Sequence, residues 1–132
     1  MIQREIINPW QWQDALGFVQ GNDVTGVQRI LFCAGQTAMD DDGNPAHVGD
    51  MRAQISMVMD NLDVVLSQAN LDLSHVMQLK YYTVDVDEFF AHYDVLTQRL
   101  DKAGCRPAAT LLGVQRLAFP ELLVEIEAIA VT

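Results

Sequence analysis

Basic residues are scarce in this chain: 8 lysines and arginines stand against 18 aspartates and glutamates, a formal net charge of -10 over 132 residues. A surface with that balance repels phosphate backbones and anionic headgroups, so nucleic acid and membranes are not expected partners. No basic run marks a nucleic-acid face either. Long hydrophobic runs are also missing. Nowhere do about 18 apolar residues follow one another, as a membrane-spanning helix needs. The start, Met1-Ile-Gln-Arg-Glu-Ile-Ile, carries charges where a secretion signal has its apolar core. The two cysteines, Cys33 and Cys105, are too few for a disulfide framework. These absences leave a soluble, cytoplasmic protein of a reducing compartment as the expectation.

Ready-made catalytic signatures are lacking as well. His47, His75 and His92 are far apart and none sits in a metal-ligand motif. Asp40-Asp41-Asp42-Gly43-Asn44-Pro45 resembles a calcium loop only at first sight. Pro45 stands where the loop's glycine belongs and Met51 where its bidentate glutamate belongs, so a solvated acidic turn is expected. Neither Gly35 nor Gly113 belongs to a phosphate-binding loop. No pattern asks for a metal or a cofactor.

What is present is ordinary globular composition, 50% hydrophobic and 20% charged, enough for one domain spanning residues 1–132. A short strand at Ile2–Ile7 ends at Asn8-Pro9. Trp10 and Trp12 follow and are expected in the core. Leu16–Gly21 reads as a short strand, with turn chemistry at Asn22-Asp23 and Thr25-Gly26. Val27–Cys33 is a strand running into Ala34-Gly35-Gln36. From Asp50 to Ala69, Met51, Ile55, Val58, Leu62, Val65, Leu66 and Ala69 recur at helical spacing, with Gln54 largely on the polar side. Val76–Val84 is a strand. A second helix is expected with Asp87 as N-cap, Phe89, Tyr93, Leu96, Leu100 and Ala103 as its buried stripe, and Gly104 as its left-handed terminator. Strands around Ala109–Leu117 and Leu123–Val131 flank a turn at Ala118–Glu121. In the last strand Glu125 and Glu127 lie opposite Val124, Ile126, Ala128 and Ala130. The pattern predicts an α+β domain, two helices on one face of a mixed sheet, whose other face, partly apolar, suits another sheet or subunit.

The candidate site residues gather near the C-terminal stretch. Glu125 on a strand suits a general base or a water-orienting carboxylate, and equally a carboxylate paired across the sheet or solvated. Arg106 carries a planar fork that can clamp a carboxylate. Cys105, beside that cation, reads either as a thiol of lowered pKa or as a buried, inert one.

Several segments, in order, resemble the RidA/YjgF family, the reactive-intermediate imine/enamine deaminases. Leu16–Gly21 resembles the family's G-x-Y-x-Q segment, and Phe32-Cys-Ala-Gly-Gln36 its S-G-Q strand end. The helix with Asn61-Leu62 resembles its first helix, and Val84-Asp-Val-Asp-Glu-Phe89 its V-x-D-x-x-x-F motif. Arg106-Pro-Ala-Ala-Thr110, Leu117, Pro120 and Val124–Ala130 resemble P-A-R-[ST], L-x-x-P and V-E-I-E-x-I-A. The resemblance implies a chorismate-mutase-like fold and a homotrimer with small-molecule clefts between subunits. It also implies that Glu125 positions a hydrolytic water, that Gly35 and its neighbours line the site, and that Tyr93 and Thr110 contribute to the cleft. At the position of the family's carboxylate-binding arginine stands Ala109, and Phe18 replaces its tyrosine. Arg106, three residues upstream, is expected on the opposite face from Ala109 because strand side chains alternate. The resemblance therefore implies a deaminase-like hydrolase of altered substrate range, or a non-catalytic small-ligand-binding trimer. Ribonuclease activity, sometimes attached to the family, is disfavoured by the net charge.

Overall fold

A computed structural model describes residues 1–132. Four strands form the main sheet: β3 (Ile30–Gln36), β4 (Val76–Thr83), β5 (Ala108–Gly113) and β6 (Val124–Val131), in the order β3-β6-β4-β5. The sheet is mixed, since β6 runs antiparallel to β3 and β4 while β4 and β5 are parallel. A separate ribbon pairs β1 (Gln3–Ile7) with β2 (Gly21–Thr25). The Arg4 guanidinium and the Asn22 amide on this ribbon donate to the Arg106 carbonyl, and Asn22 also donates to that of Met77 at 2.9 Å. The ribbon thus straps the start of β5 to β4.

Helix α1 (Met51–Gln68) begins where the Asp50 side chain accepts from the Ala53 N–H at 3.0 Å, satisfying one orphan donor of the first turn. Ile55, Val58, Met59, Leu62 and Leu66 are wholly buried on one face of the sheet. Gln54 corrects its expected place on the polar side. It is fully buried, donates to the Glu121 carbonyl at 2.9 Å and accepts from the Leu123 N–H at 2.9 Å. A buried amide with donor and acceptor used carries little desolvation cost, so it ties α1 to the loop before β6.

The expected second helix is two. Helix α2 (Val86–Ala91) is capped by Asp85, not Asp87, and α3 (Tyr93–Ala103) follows directly. His92 separates them at φ -119, ψ 17, outside helical geometry. Gly104 closes α3 at φ 65, the left-handed conformation that costs glycine least.

The N-terminal segment also differs from expectation. Asp14–Leu16 forms a 3-10 turn, Gly17 is left-handed, and β2 occupies residues read as turns. Trp10 and Trp12 are exposed, 59% and 64%. The buried residue there is Gln13, whose amide donates to the Trp10 carbonyl and whose oxygen accepts from Gln20. Val19 reaches the edge of β5, donating to the Pro107 carbonyl at 2.9 Å and pairing in parallel with Ala108.

All three α-helices lie on one face of the sheet; no helix is long and apolar enough to cross a membrane. The opposite face carries Glu125, Glu127 and Ile129 of β6, Lys80 and Tyr82 of β4 and Thr110 of β5, with Ile30 and Phe32 of β3 exposed at 54% and 71%.

Candidate functional site

Two of the expected site residues meet on the open sheet face. Between β3 and β6 the register advances from Cys33↔Ala128 to Gln36↔Ile126, so β3 carries one extra residue at Ala34-Gly35. Such a bulge re-aims the strand locally. The Glu125 carboxylate lies against the bulge so closely that a Cβ on Gly35 would stand 2.0 Å from Glu125 Oε2 and 2.7 Å from its Cδ. Only glycine permits that approach.

The two glutamates of β6 have different surroundings. Glu127 accepts a hydrogen bond from the Tyr82 hydroxyl across β4, which raises the tyrosine pKa. Glu125 lies opposite Tyr82 in register but accepts no hydrogen bond from the chain. Partial burial, and secondarily the charge of Glu127, raise its pKa above the ordinary carboxylate value. Its proposed cross-strand pairing is therefore not seen. A half-buried carboxylate with unused lone pairs and raised basicity can accept a proton from water.

Three more expected residues meet on the other face. Phe18 and Leu16 from the N-terminal segment, Tyr81 from β4, Phe90 and Tyr93 from α2 and α3, and Ala109 and Leu111 from β5 line a partly open apolar pocket of about 130 Å³. Ala109 pairs with Leu79 and Leu111 with Tyr81, which puts all four on the helix side. The Tyr93 hydroxyl donates to the Leu16 carbonyl at 2.7 Å, holding the N-terminal segment over α3. Burial pushes its pKa to about 12. The Tyr81 hydroxyl is buried and makes no hydrogen bond of normal geometry to another protein group, although it lies near enough to Tyr93 for the two protons to influence each other. Burial keeps it protonated well above the usual tyrosine range.

The remaining expected residues lie elsewhere. Cys105 is 3% exposed and belongs to the core, its Sγ 3.9 Å from the Val76 carbonyl. Burial pushes the thiol up to about 12, against a smaller opposing pull from the Arg4 cation. Arg4, not Arg106, is the neighbouring charge that matters. Arg106 is exposed and outside the pocket wall, and Thr110 points to the open face beside Lys80.

Sequence reasoning missed Leu16, Tyr81, Phe90 and Leu111. All are apolar or aromatic and carry no sign of a site in the sequence, and only the Val19–Ala108 pairing shows that the N-terminal segment lies over β5. A larger concavity of about 820 Å³ runs between α1 and α3. Its arginines are already engaged, Arg52 with Asp94 and Arg99 with Asp60 and Asp63, and it holds none of the expected residues. It is a solvent-facing groove.

Comparison with known proteins shows the family and the fold. The family model described as Endoribonuclease L-PSP matches residues 14–132. Protein DfrA of Myxococcus xanthus is 33% identical over 129 residues, covering 98% of this chain and 96% of the relative. Among solved structures, the Rid-family protein YyfB of Yersinia pestis is similar at a TM-score of 0.86 and 33% identity, covering 98% of each chain. TdcF of E. coli, solved with bound serine, is similar at a TM-score of 0.70 and 26% identity over 87% of each chain. The family match, the near full-length relative and the shared architecture together establish that the chain belongs to the Endoribonuclease L-PSP family, the RidA/YjgF proteins.

Proposed function

We propose that the protein is a Rid-type small-molecule hydrolase acting on an imine or enamine, in clefts between the subunits of a homotrimer. The reaction adds water to the C=N carbon, forming a C–O bond. The C–N bond then breaks, ammonia leaves, and the carbonyl compound remains. Glu125 takes the proton from the attacking water and gives it to the imine nitrogen, then carries the proton of the new hydroxyl to that nitrogen as it departs. Backbone groups beside Gly35 hold the water against it.

One observation carries this reading. Glu125 is poised on Gly35 with its lone pairs free and its pKa raised, while its neighbour Glu127 is bonded to Tyr82. The sheet separates Glu125 from the pocket at Ala109. A cleft that uses both must take them from different copies of the chain. The exposed Ile30 and Phe32 on the Glu125 face favour burial against such a copy.

The substrate is not a free 2-imino acid. Ala109 leaves no guanidinium for a carboxylate, and a charged group would enter a hydrocarbon-lined pocket unpaired. Ammonia release from imines generated in situ tests this. Neutral imines should be hydrolysed faster than the buffer-catalysed rate, and the acceleration should disappear in Glu125→Gln. A second reading, a non-catalytic ligand-binding trimer, is favoured by the same loss of a charged anchor. It predicts ligand binding with no Glu125-dependent turnover.

A further inference from the structure

The pocket at Ala109 specifies the part of the ligand it receives. Its wall is seven apolar or aromatic residues, and neither of the two hydroxyls nearby can donate to a ligand. Tyr93 has spent its proton on the Leu16 carbonyl, and the Tyr81 hydroxyl is buried out of reach of a water-sized group. A carboxylate or other acceptor group would enter unpaired, which is strongly unfavourable. The enclosed part must therefore be hydrocarbon.

Size narrows it further. The pocket holds about 130 Å³. Apolar cavities of about 150 Å³ stay dry and take up benzene. A single methyl would leave most of this volume empty, whereas one ring would occupy it. The wall also offers aromatic edges. Phe90 and Tyr93 meet T-shaped at 5.6 Å, and Tyr81 and Tyr93 at 6.4 Å. Ring edges and faces at such spacing favour a third ring packed edge to face.

We infer that this pocket binds a phenyl-sized hydrocarbon group, so that the substrate is a neutral imine or enamine carrying one such group on the carbon that water attacks. This rests on the small-molecule reading above and names the substrate class. Ala109 is the specificity-determining residue. Any larger side chain there fills the space, and an arginine there would exchange a hydrocarbon for a carboxylate.

The test is binding of acetophenone, a neutral phenyl ketone of the product type, followed by calorimetry and by the methyl resonances of Leu16 and Leu111, with acetone as the ring-free control. Each buried carbon is worth roughly fourfold in affinity, about a thousandfold for the five carbons by which acetophenone exceeds acetone. Even with half of that free energy realised, acetophenone should bind about thirtyfold tighter than acetone and shift those methyls. Ala109→Phe should reduce that preference to near one. Ala109→Val, a smaller change that spares the fold, should reduce it partway, with thermal unfolding confirming an intact protein. Equal binding of the two ketones, or a preference indifferent to both substitutions, overturns the assignment. The two readings fail separately. Acetophenone binding without ammonia release sinks the hydrolase and leaves the pocket standing, whereas ammonia release without acetophenone binding sinks only the pocket's specificity.

Discussion

The two faces of the sheet are opposite in character. One presents Glu125 on its glycine shelf among Glu127, Tyr82 and Lys80, with unused lone pairs. The other presents a pocket at Ala109 walled by rings and methyls, with its hydroxyls turned aside. A carboxylate can direct water but cannot hold a neutral organic molecule. A hydrocarbon pocket can hold one but cannot activate water. On the proposed reading, this difference makes each face half of one site, and the absence of an arginine at Ala109 leaves the carboxylate at the other face untouched.

The largest expected effect comes from removing the polar half. Glu125→Gln should lower ammonia release from a neutral imine by about a hundredfold or more, the usual worth of a positioned general base. Gly35→Ala should approach the same loss, because its Cβ would displace the carboxylate it now touches. Comparing kcat and KM for the two variants would sharpen the contrast, since the fall should lie in kcat.

Changing the apolar half should alter choice rather than power. Ala109→Arg, with Phe18→Tyr if needed, should favour 2-imino acids over neutral imines by roughly ten- to a hundredfold, the value of a charge-assisted contact of about 1.5–3 kcal/mol. Competition between the two substrate types measures it directly.

How far these faces could be read from the sequence depended on whether the signal was local. The α1 stripe was plain, because helical period is a property of neighbouring residues, whereas the cap of the next helix, expected at Asp87, lies at Asp85. Glu125 and its alternation along β6 were equally plain. The division of the second helix at His92 was not, since no glycine or proline marks it. The burial of Gln54 depended on partners at Glu121 and Leu123, and the exposure of Trp10 and Trp12 on Gln13 taking the inside position. The bulge that seats Glu125 on Gly35 is a register shift between distant strands. The pocket wall joins residues as far apart as Leu16 and Leu111, and apolar residues that line a cavity look the same in sequence as those that fill a core.

Smaller effects concern the buried protons. Cys105 rises from 9.0 to about 12 in the folded chain. An acid whose folded pKa is raised stabilises the fold fully below its unfolded value, and that contribution is lost as pH climbs through the folded one. The wild type should therefore weaken between about pH 9 and pH 12, and Cys105→Ala should flatten that slope in denaturant titrations. The folded thiol should also resist alkylation at neutral pH. Tyr81→Phe should be the mildest change. It removes a buried hydroxyl without a partner, so stability should hold or rise by up to about 1 kcal/mol.

A crystal structure with acetophenone bound tests the central claim most directly. The phenyl ring should lie between Phe18, Tyr93 and Ala109 of one subunit, with the carbonyl facing Glu125 and Gly35 of another. A ketone held by one chain alone, or a ring lodged away from Ala109, would contradict the account.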